Sequence, residues 1–111
     1  MTRDIKESDW KLFRRLQALA LERYCQQVLE EVHSATADCS AGYHDCYLKV
    51  YALLQRHDQT IAWAFNNPTR STAFILLANI NQLGLLTEEE LAQFSPELRE
   101  AIRRIESIRR S

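Results

Sequence analysis

Apolar residues recur at helical spacing along nearly the whole chain and give way to small, polar or capping residues only at a few places. From Asp9 or Trp10 to about Ala35, residues placed every 100° put Trp10, Leu21, Tyr24, Cys25, Val28 and Val32 in one stripe. Phe13, Leu16 and Ala20 widen that stripe, while Arg15, Glu22, Gln26, Glu30 and His33 lie opposite. Ser8 or Asp9 is the expected N-cap, so residues 1–8 read as a polar tail and 9–111 as one domain. The small and capping residues of Ala35–Gly42 make the first break. A second helix is predicted from about Tyr43 to Phe65. Tyr43, Tyr47, Val50, Leu54, Ile61 and Phe65 line its apolar face, with Cys46, Leu53 and Ala64 beside them.

Asn66-Asn67-Pro68 ends that helix, because proline breaks the hydrogen-bond ladder and restricts the residue before it. Asn67 with Pro68 at the first position, or Thr69, is expected to cap a third helix reaching Leu83. Its middle, Ala73–Ala78, is apolar all round, which marks a central element. Gly84 follows where a left-handed cap belongs. Thr87 and Glu90 form a capping box, stapled by Leu86 and Leu91, for a short helix ending at Phe94. Ser95-Pro96-Glu97 then starts a last helix with Leu98, Ala101 or Ile102, Ile105 and Ile108 on one face. The expected architecture is all-α: a compact bundle of four to five helices with the third at its centre.

Composition agrees with that class. Two glycines and two prolines in 111 residues are too few for a fold built of tight turns. Fourteen Lys and Arg against fifteen Asp and Glu leave a net charge of −1, so no global field draws the chain to nucleic acid or membrane. The N-terminus carries charges with no apolar stretch of signal-peptide length behind them, and the longest apolar run is Ala73–Ala78. A cytoplasmic protein without a membrane partner is expected. The three cysteines, Cys25, Cys39 and Cys46, cannot all pair within one chain, and in a reducing cytosol they would be free thiols.

Chemistry-bearing clusters are sparse. His33, Cys39, His44 and Cys46 could in principle bind a metal, but they lack short paired spacing, and His44 and Cys46 point about 160° apart on a helix. His57 lies inside the apolar stripe beside Asp58 and reads as a structural histidine bonded to a neighbour. It lacks the His-x-Leu-Lys-Gly setting of phosphate-relaying bundles. Thr69, Arg70, Ser71 and Thr72 could hold an anion at a helix start, although no glycine allows close backbone approach. Residues 99–110 carry Arg99, Arg103, Arg104, Arg109 and Arg110, with Glu100–Arg104 and Glu106–Arg110 pairs expected at helical spacing. The helix after Gly84 leads with three glutamates, which argues against DNA reading. No cofactor is implied, and nothing points to an enzyme.

What remains is a protein-interaction or self-assembly module that docks a protein partner or a second copy. Its candidate interface residues are Leu12, Leu19 and Leu29 outside the main stripe of the first helix, and Trp63 on the polar side of the second. The alternative is a regulatory domain binding a small ligand, anion or metal at the Cys39–Cys46 loop or the start of the third helix.

Overall fold

A computed structural model describes residues 5–111 and is 77% helical. The helices in chain order are α1 (Glu7–Thr36), α2 (Tyr43–Phe65), α3 (Ala73–Gln82), α4 (Glu88–Leu91) and α5 (Pro96–Arg110). α1 and α2 pack on each other as a long hairpin, and α3 touches α1, α2 and α5. The central position of the all-apolar segment is therefore as its sequence indicates. The outline is extended rather than compact: 56 × 26 × 23 Å, with a radius of gyration of 17.1 Å. A globular chain of this length would have a radius near 13 Å.

The core explains the shape. Trp10, Phe13, Leu16, Ala20, Tyr24 and Val28 of α1 meet Ala73, Leu76, Leu77, Ala78 and Ile80 of α3, with Ala64, Phe65, Leu85, Phe94, Leu98 and Ile102 closing around them. Between Leu29 and Trp63 the only buried residue is Cys46. The core thus sits at one end, and the other end of the hairpin projects from it.

Local chemistry fixes most boundaries. Ser95 Oγ accepts from the Leu98 amide with Pro96 at the first helical position. Thr87 and Glu90 exchange side-chain and backbone bonds of 2.9 and 3.1 Å. Gly84 has φ +72 and closes α3, its amide bonding to Asn81 O. Two starts differ from expectation. α1 begins at Glu7 after Lys6, and Ile5, read as part of a polar tail, is buried in the core. Neither Ser8 nor Asp9 caps it, because the Asp9 carboxylate instead accepts from Ser95 N at 2.9 Å and Ser95 Oγ at 2.5 Å. α3 begins at Ala73 rather than near Pro68, since Thr69 and Thr72 each accept the other's amide and organise a separate turn before it. Asn67, expected as a cap, adopts φ +46.

Three polar tethers fasten α4 and α5 to the long hairpin. Asp9–Ser95 is one. Arg23 forms a second, donating two bonds to the Glu90 carboxylate at 2.7 and 2.9 Å and one to Leu85 O at 2.8 Å. In the third, Arg109 donates to Asn79 Oδ1 and Gln82 Oε1 while lying over the Trp63 ring at 5.7 Å. Asn79, buried within the apolar helix, in turn donates to Trp63 O at 2.9 Å. The expected Glu106–Arg110 pair is absent, because Glu106 accepts from Asn81 at 2.6 Å. Glu100 pairs with Arg103 at 3.3 Å and Arg104 at 4.0 Å.

Glu90 gives this anchorage a pH dependence. The Arg23 hydrogen bonds above all, then the Thr87 amide, hold its carboxyl at a pKa of about 2, below its ordinary 4.5. A carboxylate depressed in the folded state stabilises fully above its unfolded value and loses that contribution as pH falls through the folded one. Denaturation series should therefore show wild-type stability declining from about pH 4.5 to 2, with a smaller decline in Glu90→Gln. Parallel curves for the two proteins would refute the assignment. Thr87→Ala should cost about 1 kcal/mol at neutral pH through loss of the cap.

Candidate functional site

α2 carries more apolar positions than its neighbours cover. Cys46, Val50, Leu53, His57 and Ile61 turn inward to varying degrees, and Cys46, Ala64 and Phe65 are buried. Tyr43, Tyr47 and Leu54, expected on the covered face, are exposed instead, at 88, 64 and 42%. Leu48 and Tyr51 are exposed beside them. The reason is geometric. An apolar arc this wide needs helices on two sides, and over this stretch α2 has only α1. Tyr43, Tyr47 and Tyr51 succeed one another at four-residue spacing, so they stand in a row along the helix. The Tyr47 and Tyr51 rings are 6.4 Å apart and nearly parallel, and His44 stacks on Tyr47 at 6.5 Å. The result is a partly apolar, partly hydroxylated ladder facing solvent.

A second polar group joins the two helices beneath that ladder. The Tyr24 hydroxyl lies 2.6 Å from His57 Nδ1, and His57 Nε2 lies 2.9 Å from Glu31 Oε2. An ionised carboxylate only accepts, so Nε2 carries the proton toward Glu31 and, in the neutral ring, Nδ1 accepts from Tyr24. Arg56 stands 3.8 Å from the same Glu31 oxygen. Carboxylate, imidazole and hydroxyl in line is the order of a nucleophilic triad. Here, however, the hydroxyl belongs to Tyr24, a buried residue of the packed core. The group forms a polar strut between α1 and α2, bonding His57 to Tyr24 and Glu31 of the other helix.

The hairpin tip is clipped covalently. Cys39 and Cys46 are joined by a disulfide across the α1–α2 connection, and Cys25 is free. This corrects the expectation of free thiols at Cys39 and Cys46. Across that turn their Cα atoms lie 5.5 Å apart, a disulfide-compatible separation that residue counting does not reveal. The four metal-ligand candidates are not gathered as donors: Cys39 and Cys46 hold each other, His44 stacks on Tyr47, and His33 is exposed on the last turn of α1. Among the described residues no group of three or more His, Cys, Asp or Glu could hold a metal ion.

The remaining candidates are placed as follows. Thr69, Ser71 and Thr72 hydrogen-bond among themselves, and Arg70 pairs with Glu7 at 3.2 Å while lying over Trp10. Leu12 packs against the core. Trp63 is 42% exposed, with Arg109 over its ring. Leu19 and Leu29 are exposed and line a shallow groove of about 960 Å³ along α1 with Cys25 and His33. Tyr43 and Tyr47 fall in the apolar stripe of α2, so periodicity alone places them on the covered face. The available signal was an apolar arc on α2 too broad for one neighbour, carried by tyrosines, whose rings tolerate water.

No known protein family, curated protein or solved structure matches the chain. Among the described residues, no helix is long and apolar enough to cross a membrane.

If the strut holds the hairpin together, Tyr24→Phe should cost about 1–2 kcal/mol by leaving Nδ1 without its donor. The pair Tyr24→Phe with His57→Leu should recover part of that loss. Urea denaturation of the single and double variants measures the coupling, and strictly additive losses would remove the strut from the account.

Proposed function

We propose that the chain is a non-enzymatic helical self-assembly module, a two-fold dimer formed through the outer face of the α1–α2 hairpin. The observation that carries this reading is the uncovered row of Tyr43, Tyr47, Tyr51 and Leu54 on a hairpin segment whose only buried residue is Cys46. Antiparallel helix pairs with one open apolar side complete themselves as four-helix bundles, and two-fold dimers are the commonest closed assemblies. Residues 43–59 of α2 span about 25 Å and a helix pair is about 20 Å wide, a footprint of about 500 Å², at the small end of specific interfaces whose standard is roughly 800 Å² per partner.

The charge pattern favours a second copy over an unrelated helix. An antiparallel pairing about a two-fold axis at Tyr51 sets Leu48 opposite Leu54 of the other protomer and His44 opposite its Asp58, each contact occurring twice. Leu19 and Leu29 extend the apolar exposure onto α1. The cytoplasmic placement expected from the sequence belongs to the same proposal.

Sedimentation equilibrium tests the reading. Wild type should associate at tens of micromolar, and Tyr47→Asp or Tyr51→Asp should shift it to monomer without loss of helical circular dichroism. A wild-type protein that stays monomeric at hundreds of micromolar would refute self-assembly.

A further inference from the structure

The hairpin tip holds a cysteine pair whose surroundings suit both of its redox states. In the bonded form, Cys39–Cys46 ties the α1–α2 connection to the first turn of α2. Each sulfur also lies near a carbonyl of α1's last turn, Cys46 Sγ 3.3 Å from Ala35 O and Cys39 Sγ 3.6 Å from Thr36 O. Carbonyls of a last helical turn lack partners within the helix. Once reduced, the two thiols can donate to these acceptors, a weaker tie than the covalent bond they replace. The two sulfurs differ in access: Cys46 is buried and Cys39 is half-buried.

We propose that Cys39–Cys46 is an exchange site for low-molecular-weight thiols of the glutathione class, and that its redox state governs the aromatic face. A thiolate attacks Cys39 Sγ, forming a mixed disulfide there. The Cys39–Cys46 bond breaks and its electron pair leaves on Cys46 Sγ, which takes a proton from water. A second thiolate attacks the small-molecule sulfur of the mixed disulfide, releasing Cys39 as a thiolate that is protonated in turn. The sum is one protein disulfide and two thiols giving one protein dithiol and one small disulfide. Cys46 lies in the first turn of α2, where the helix N-terminus carries partial positive charge and favours the departing sulfur anion.

The consequence for the ladder follows from position. Cys46 is the only buried anchor of the projecting segment, Tyr47 is the next residue and Tyr43 lies three residues before it. Opening the clip frees the α1–α2 connection and lets the first turn of α2 fray, which moves Tyr43 and Tyr47 out of line with Tyr51. This regulation rests on the self-assembly reading above.

The experiment equilibrates the full chain in buffers of varied reduced and oxidised glutathione. Alkylation mass counts the thiols, hydrogen exchange follows residues 37–47, and sedimentation follows assembly. The proposal expects reversible gain of two thiols, exchange at 37–47 at least about tenfold faster on reduction, and about tenfold weaker association of the reduced form. Cys39→Ser with Cys46→Ser should behave as the reduced protein whatever the buffer. A pair that stays bonded in millimolar reduced glutathione overturns the exchange site. Equal association of the two forms overturns the regulation while leaving self-assembly standing. If both forms are monomeric but the tip still loosens on reduction, the exchange site stands and self-assembly falls.

Discussion

A ten-residue helix spans only about 15 Å, and the hairpin it must cover is two to three times as long. That mismatch between α3 and the α1–α2 pair shapes the rest of the molecule. α3 is apolar all round, so burying it requires neighbours on several sides, and α1, α2 and α5 supply them at one end. Once Ala73–Ile80 is enclosed, little apolar material remains for the far half of the hairpin. α5 also outlasts its cover, which is why Ile108 is exposed although it continues the stripe of Leu98 and Ile102.

Everything near α3 is redundantly fastened, and the fastenings are polar. Asp9 grips the start of α5, Arg23 grips α4 through Glu90, and Arg109 ties the end of α5 to Asn79, Gln82 and the Trp63 ring. These contacts join residues far apart in the chain, so they fix how short helices lie on long ones where apolar packing alone is less directional. The projecting end has fewer restraints: the Tyr24–His57–Glu31 strut at its base and the Cys39–Cys46 bond at its tip. Between them the two-helix segment leaves its aromatic row uncovered.

The legibility of these features follows the range of the interactions behind them. Gly84, the Thr87–Glu90 box and Ser95-Pro96 are local devices, and each sits where its sequence places it. Tyr43, Tyr47 and Leu54 share an arc with Val50 and Ile61, and nothing within α2 says which part of that arc a neighbour will reach. The length of α3 decides it. Asp9 has the chemistry of a cap for its own helix, yet it serves α5 because folding brings Ser95 to it. The Cys39–Cys46 pair was equally hidden, since its spacing matches no metal motif and its pairing depends on how tightly the hairpin turns. Trp63, singled out for its place on a polar face, found a cation on α5 rather than open solvent alone.

The core secures one end of the molecule and leaves the aromatic row of α2 uncovered at the other, the face proposed to meet a second copy. Native-state hydrogen exchange of the oxidised protein, read segment by segment at several protein concentrations, tests both halves at once. The account predicts slow, concentration-independent exchange across 73–80 and the buried positions of α1. Across 43–58 it predicts faster exchange in dilute protein that slows as concentration rises. Exchange across 43–58 that is as slow as the core in dilute protein, or that ignores concentration, would contradict it.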